Sequence, residues 1–264
     1  MATNRIQRCF TEHRAARRPA VMPFVTAGYP SLECTTAVLP ALSQAGAGII
    51  EVGIPFSDPI ADGPVIAASM HDALVAGCTP AKVFEAIAAV RSQVKAGLAG
   101  MVSTSIVHAM GVDAFTQQAA AAGLDGLIVP DMDLHDAPAL RKACDARNLT
   151  CTFLVAPTSG PDRVKRIVEL CSGFVYALAR VGITGERADA PDAKPVVDRI
   201  RAHTTLPVAV GFGISTAAHV RDVGAYADGV IVGSSLVRRM QDAHASGHDA
   251  AAAAVAFVKT LMPG

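Results

Sequence analysis

The feature that most constrains the fold is a set of short apolar segments that recur along the whole chain, each bounded by Gly or Pro. Their apolar positions are continuous rather than alternating, which is typical of parallel strands buried on both faces under helices. We therefore predict eight buried strands, at residues 20–26, 48–52, 101–107, 124–129, 152–155, 173–178, 207–211 and 229–232.

Segments of helical length separate the predicted strands, and several begin with Ser, Thr, Asp or Pro, residues that commonly start a helix. Eight strand–helix units without a composition shift favour one closed (β/α)₈ barrel domain over residues 1–264, preceded by an extra N-terminal helix. The alternative fold, an open doubly wound sheet, usually has about five to seven strands. The predicted helices are residues 32–45, 80–95, 113–122, 136–147, 161–171, 191–203 and 216–223, with a final helix from residue 250.

Composition and charge restrict the class of protein. Apolar residues make up 51% of the chain and charged residues 17%, which indicates a globular protein with a substantial core. Lys and Arg total 23, as do Asp and Glu, so no net charge attracts nucleic acid or an anionic membrane. No segment has the ~18 apolar residues that span a bilayer, and residues 1–18 have no apolar signal-peptide core.

The cysteines and histidines argue against a metal centre. The six cysteines show no CxxC or Cys/His spacing, which predicts reduced thiols in the cytoplasm. The eight histidines form neither an HxH nor an HExxH motif, so we expect no metal site.

Acidic residues cluster at the end of the second predicted strand, and active sites of such barrels lie at the carboxyl ends of strands. Glu51 ends an apolar strand, where burial raises a carboxyl pKa toward the range useful for proton transfer. The alternative for Glu51 is an ion pair with Arg or Lys. The loop at residues 53–64, with three prolines and two glycines, carries Asp58 and Asp62, each of which alternatively caps a turn.

Glycine-rich segments follow the last two predicted strands, at residues 211–215 and 233–235. These are the usual phosphate-binding positions of the fold, because glycine lets backbone N–H groups approach an anion. A short helix starting at Ser234 would direct its positive end toward the phosphate. The alternative is a pair of tight turns. Residues 180–190 are long enough to close over a ligand, or else form a disordered connector.

Residues 51–64, EVGIPFSDPIADGP, resemble the signature of the tryptophan synthase α-subunit family. Residues 23–28 (PFVTAG), 182–185 (GITG) and 211–215 (GFGIS) resemble the same family, so the likeness spans the chain. The resemblance implies a carbon–carbon lyase that cleaves indole-3-glycerol phosphate to indole and glyceraldehyde 3-phosphate. It also implies an α/β heterotetramer, in which indole passes to a β subunit that carries pyridoxal phosphate, and no cofactor in this chain.

The same resemblance implies residue roles. Glu51 would protonate the indole C3 and later accept the glycerol hydroxyl proton, Asp62 would hold the ring N–H, and Asp58 would contact the β subunit. The phosphate would lie on Gly185, Gly213, Gly233 and Ser234. The indole pocket would be lined by Phe24, Ile66, Met101, Tyr176, Thr184 and Phe212.

Two segments depart from the family pattern. Residues 103–107 (STSIV) stand where the family usually has aromatic residues and an Asn, which predicts a trimmed pocket wall. Residues 131–136 (DMDLHD) replace a Pro-rich acidic turn that helps to signal to the β subunit.

Alternative functions remain open from the sequence. One is a free-standing lyase that releases indole, and another is a regulatory barrel that binds phosphate ligands and activates a β-type partner. A phosphate-binding isomerase or aldolase would normally need a Lys or a second base at a strand end, and no predicted strand contains a Lys.

Overall fold

The structure is a computed structural model that describes residues 3–58, 62–179, 192–211 and 213–262. Its strands are β1 Ala20–Thr26, β2 Ile49–Gly53, β3 Gly97–Met101, β4 Gly126–Ile128, β5 Thr150–Thr152, β6 Leu154–Val155, β7 Val175–Leu178, β8 Val208–Gly211 and β9 Gly229–Val232. All described pairings are parallel, and the order is β5-β4-β3-β2-β1-β9-β8-β7-β6.

The two ends of this sheet, β5 and β6, are consecutive in the chain and are separated only by Phe153. The backbone N–H of Tyr176 in β7 donates to the Phe153 carbonyl at 3.3 Å, so hydrogen bonding to β7 continues across the break. β5 and β6 are therefore two parts of one strand, and eight strands close into a cylinder. The predicted (β/α)₈ architecture, the TIM barrel, is confirmed.

Helices surround the barrel, and several begin where a side chain caps the first turn. Ser31, Thr79 and Thr216 each accept a hydrogen bond from the backbone N–H three residues later. The helices are α1 Arg5–Ala15, α2 Leu32–Gln44, α3 Pro64–Val75, α4 Pro80–Val90, α5 Thr104–Met110, α6 Val112–Ala122, α7 Ala137–Asp145, α8 Pro161–Leu170, α9 Lys194–Arg201, α10 Ala217–Gly224, α11 Ser234–Ala245 and α12 Ala250–Leu261.

The predicted N-terminal helix, α1, covers the amino-terminal end of the barrel. Ile6 packs against the start of β3 so closely that a Cβ on Gly97 would lie 2.8 Å from its Cγ1. The Asn4 side-chain amide donates to the carbonyls of Asp125 and Asn148, each at 2.7 Å. Because α1 occupies this end, a ligand must enter at the carboxyl ends of the strands.

Both faces of the strands are buried, as the continuous apolar runs predicted. In β2, Ile49 belongs to a cluster inside the barrel, which also contains Tyr176 of β7, whereas Ile50 and Val52 pack under the surrounding helices. Alternate residues of a strand share one face. Glu51 therefore points into the barrel, two residues beyond Ile49 toward its carboxyl end.

The prediction for the third strand was wrong. Residues 101–107 were expected to form it, but β3 is Gly97–Met101, and Thr104–Met110 forms α5 instead. β3 is rich in glycine because neighbours pack directly on its backbone; a Cβ on Gly100 would lie 2.8 Å from the Leu124 Cδ1. These small residues hide the strand from a pattern of apolar side chains. α3 was likewise not predicted.

The structure also bears on the cysteines, on metal binding and on membrane insertion. All six cysteines are free, and five of them are buried. The described residues contain no group of three or more His, Cys, Asp or Glu side chains placed to hold a metal ion. In the same part of the chain, no single helix is long and apolar enough to cross a membrane, although α3 and the following helical residues 80–93 pass as a bent pair by length and composition alone.

Candidate active site

Glu51 lies inside the barrel, where no described residue is a partner for its carboxyl group. In the sheet it is level with Phe24 on one side and Ala99 on the other. The residue is fully buried, and neither carboxyl oxygen has a hydrogen-bond partner among the described residues. Burial raises the pKa of Glu51 well above its ordinary value of 4.5. The described residues thus offer no ion pair to Glu51, and burial favours the neutral form of its carboxyl group.

Asp62 ends the loop that follows β2, two residues before α3. It does not cap that helix, because the N-cap residue is Gly63 and no side-chain cap bond forms. Partial burial raises the Asp62 pKa from 3.8 to about 6. Burial thus favours the neutral form of both carboxyl groups, and Glu51, which is fully buried, and Asp62, which lies on a cavity wall, are in different environments.

Tyr176 shows that the two acids lie at the same end of the barrel. Burial raises the pKa of its phenol, and the negative charges of Glu51 and Asp62 raise it further. Its hydroxyl lies against the backbone of Gly211, where any side-chain Cβ would collide with it. The glycine that ends β8 therefore leaves room for the phenol, which is near enough to both acids for their charges to act on it.

A cavity of about 190 Å³ opens beside Asp62. One part of its wall is apolar and suits a flat aromatic ring. A second part is polar and carries three carboxyl groups. The apolar residues are Ile54, Phe56, Met70, Met101, Val102 and Pro130, and the polar residues are Asp58, Asp62, Ser103 and Asp131.

Phe24 and Ile66 lie between this cavity and the end of β9. They form an apolar cluster with Val65, Met70 and Val237, against which Met101 packs. The ring of Phe24 lies across Gly53, where a Cβ would come within 2.5 Å of the ring Cζ. The Gly233 backbone is close to the same cluster, because a Cβ there would lie 3.6 Å from Ile66 Cδ1.

The turns after β8 and β9 meet at the start of α11. This helix begins at Ser234 after Gly233, and no described side chain caps it. Uncapped N–H groups at a helix N-terminus attract an anion. The Ser235 hydroxyl donates to the Ile214 carbonyl at 2.9 Å and holds the two turns together. Gly213 has a positive φ of 81°, and no atom of the described residues lies within 4 Å of a Cβ built on it. At 12 residues, α11 is longer than the short helix expected.

Residues 10–262 match the family model described as the tryptophan synthase alpha chain. The chain belongs to the tryptophan synthase alpha chain family. Its relative from Gloeobacter violaceus is 42% identical over 241 residues, which cover 90% of this chain and 87% of that protein. The alpha chain from a Roseiflexus species is 40% identical over 260 residues, or 98% of this chain and 99% of that protein.

A solved structure of Mycobacterium tuberculosis tryptophan synthase has the same fold. It matches with a TM-score of 0.88 at 35% identity, covering 99% of this chain and 100% of that chain. The predictions of family, TIM-barrel fold and lyase class are therefore confirmed.

Three predicted site residues of this alpha-chain family member, Thr184, Gly185 and Phe212, lie outside the described residues. So does the predicted closing segment, at residues 180–190. Asp58 is described and lies on the cavity wall, where its carboxylate accepts a hydrogen bond from the Ser57 hydroxyl at 2.9 Å.

The two segments that depart from the family pattern meet at Asp131. Its carboxylate accepts hydrogen bonds from the Ser103 hydroxyl at 2.7 Å and from the backbone N–H of Thr104 at 2.8 Å. Of residues 103–107, only Ser103 lines the cavity; Val107 is the buried residue of α5 and packs in the core. Sequence reasoning missed this contact, although the step from β3 to a Ser-capped helix was a signal that could have indicated it.

Proposed function

We propose that the chain cleaves indole-3-glycerol phosphate to indole and glyceraldehyde 3-phosphate, with Glu51 and Asp62 as its acid–base pair. The observation that carries this proposal is the different environment of two carboxyl groups at one end of the barrel, one fully buried without a described partner and the other on the cavity wall. Such a difference lets one acid donate a proton while the other stabilises positive charge.

The reaction uses each acid in turn. Neutral Glu51 donates its proton to C3 of the indole ring, and the ring nitrogen becomes positively charged. Ionised Asp62 accepts a hydrogen bond from the ring N–H and stabilises that charge as it develops. The bond between C3 and the glycerol carbon then breaks, and its electron pair returns to the ring. Glu51, now a carboxylate, accepts the proton of the adjacent hydroxyl as the aldehyde forms.

The substrate lies with its indole ring beside Asp62 and its phosphate at the start of α11. The indole ring occupies the cavity beside Asp62, with Met101 on its wall. Phe24 and Ile66 lie between the indole ring and the start of α11. The phosphate binds the backbone N–H groups of Gly213, Gly233 and Ser234, together with Gly185, and Tyr176, Thr184 and Phe212 complete the indole pocket. Main-chain amides and a helix N-terminus suffice to hold a phosphate without a Lys or Arg.

The protein partner that we propose is a tryptophan synthase β subunit, which receives the indole and carries the pyridoxal phosphate. The chain itself requires no cofactor for the lyase step, because protonated indole is the electron sink. Asp58, at the cavity mouth, is the proposed contact with that partner. Free thiols fit a reducing compartment, so we place the enzyme in the cytoplasm.

Indole release from indole-3-glycerol phosphate tests the proposal. We expect release by the parent, a fall of at least about 100-fold in Glu51→Gln, and no change in Glu33→Gln, which alters an exposed acid on α2. Equal background release by the parent and Glu51→Gln would overturn the lyase proposal and favour a regulatory barrel. Addition of a β subunit should raise the rate; an unchanged rate would favour a free-standing lyase.

A further inference from the structure

Asp131 is an acidic residue on the cavity wall that the proposed reaction does not use. Its carboxylate accepts three hydrogen bonds, from the Ser103 hydroxyl at 2.7 Å, the Thr104 N–H at 2.8 Å and the Thr104 hydroxyl at 3.0 Å. All three donors are neutral, and within the described residues no Lys, Arg or His forms an ion pair with Asp131. The carboxylate is therefore fixed in position, and no ion pair with a described residue offsets its charge.

The other charges on the same wall have the same sign. Asp58 and Asp62 also line the cavity, and none of its described lining residues is a Lys, Arg or His. Asp62 is needed for the proposed chemistry, and Asp58 lies at the mouth. Asp131 instead flanks the apolar surface of Met101 and Val102, where the ring would lie. A negative charge here leaves a neutral ring unaffected and repels an anionic one.

We propose that Asp131 is a specificity-determining residue that excludes aromatic phosphates with a carboxylate on the ring. This inference rests on the proposed function, since it assumes that the cavity receives the indole ring. Hydrogen bonds from Ser103 and Thr104 hold the Asp131 carboxylate against the cavity, so a ring carboxylate cannot enter without placing two like charges close together. At about 5 Å, such a pair lowers affinity by about fourfold in bulk water and by more beside a protein surface.

The test measures binding of indole-3-propanol phosphate and of its 5- and 6-substituted carboxamide and carboxylate forms. Carboxamide and carboxylate have nearly the same size, so the ratio of their dissociation constants isolates the effect of charge. The variants are Asp131→Asn and Asp131→Ser, with Asp133→Asn as the matched control. Asp133 is exposed in the same loop, does not line the cavity, and loses the same charge.

We expect the parent to bind the carboxamide at least about fivefold more tightly than the carboxylate at low salt. Asp131→Asn and Asp131→Ser should reduce that ratio about three- to tenfold, while Asp133→Asn keeps it and all variants bind the unsubstituted ligand as the parent does. A ratio near one in the parent, or an unchanged parental ratio in both Asp131 variants, overturns the inference. Failure of the parent to bind the unsubstituted ligand instead overturns the proposed function and the inference with it.

Discussion

Ionised Glu51 destabilises the fold. Burial removes the water that would solvate its carboxylate, and no described donor replaces the lost hydrogen bonds. A neutral carboxyl group is the form that such a site tolerates. The same environment that reduces stability therefore favours the neutral form, which is the form that the proposed reaction needs. If the proposal holds, stability and activity both respond to the protonation of this residue.

Glu51→Gln should be more stable than the parent at pH 8 by about 1–3 kcal/mol. The folded-state pKa of Glu51 lies above its ordinary value of 4.5, so the folded protein holds this proton more tightly than the unfolded chain. Parental stability is then lost as pH rises above 4.5 and through the folded-state pKa, whereas the Gln variant has no such loss. Urea unfolding at pH 5, 6.5 and 8 measures the difference in free energy of unfolding. A difference that stays constant or shrinks with rising pH would contradict this assignment.

Asp62 should give the rate of cleavage a transition near pH 6. Its pKa is raised to about 6, and the proposed reaction needs the ionised form, so kcat/KM should fall as pH drops below that value. Asp62→Asn should lower turnover more than affinity for a phosphate ligand, and should abolish the acidic transition. The measurement is kcat/KM for indole release between pH 4.5 and 9. A transition near pH 4, or one that persists in the Asn variant, would exclude this role.

At the scale of secondary structure elements, β2 positions the site as much through Gly53 as through Glu51. Gly53→Ala should destabilise the protein by about 1–3 kcal/mol, because the new methyl group would lie 2.5 Å from the Phe24 ring. Displacement of Phe24 should also raise KM. Gly160→Ala is the control, since no atom lies within 4 Å of a Cβ there and its φ is −68°. Thermal unfolding compares the two variants; equal stability would show that Phe24 moves without cost.

α11 permits a test in which stability and binding change in opposite directions. Ser234→Asp adds a negative charge at the helix N-terminus, which should stabilise the helix by about 0.3–1 kcal/mol. The same charge should weaken phosphate-ligand binding at least about tenfold if the phosphate lies there. Ser246→Asp adds the charge at the other end of α11, and should slightly destabilise the protein and leave binding unchanged. Calorimetric titration with a phosphate ligand measures both variants, and unchanged affinity in Ser234→Asp would place the phosphate elsewhere.

The strands could be predicted from the sequence only where runs of apolar side chains reveal them. β1, β2, β8 and β9 are built from large apolar residues and were found nearly at their observed bounds. β3 was missed because glycine and alanine carry no such signal, and their small size is set by neighbours that are distant in sequence, such as Leu124. Because residues 101–107 were assigned to the third strand instead, α5 was not predicted, and neither was the contact between Ser103 and Asp131.

For the whole molecule, barrel closure brings together residues that sequence places far apart. The rule that strand ends carry the chemistry was enough to select Glu51 and Asp62, because both follow from their position relative to β2. It could not show that Glu51 lacks a described partner, or that Asp131 faces the same cavity as Asp62, since both depend on side-chain packing across the barrel. That residues 1–264 form a single domain stays a prediction, which requires one cooperative unfolding transition.

A crystal structure with bound indole-3-propanol phosphate would show where the two acids and the phosphate-binding turns lie relative to the indole ring. We predict the indole nitrogen within about 3.2 Å of the Asp62 carboxylate and the phosphate on the N–H groups of Gly213 and Ser234. The Glu51 carboxyl group should face C3 of the ring. A phosphate bound away from the start of α11, or a ring outside the cavity with Asp62 and Glu51 uncontacted, would contradict the account.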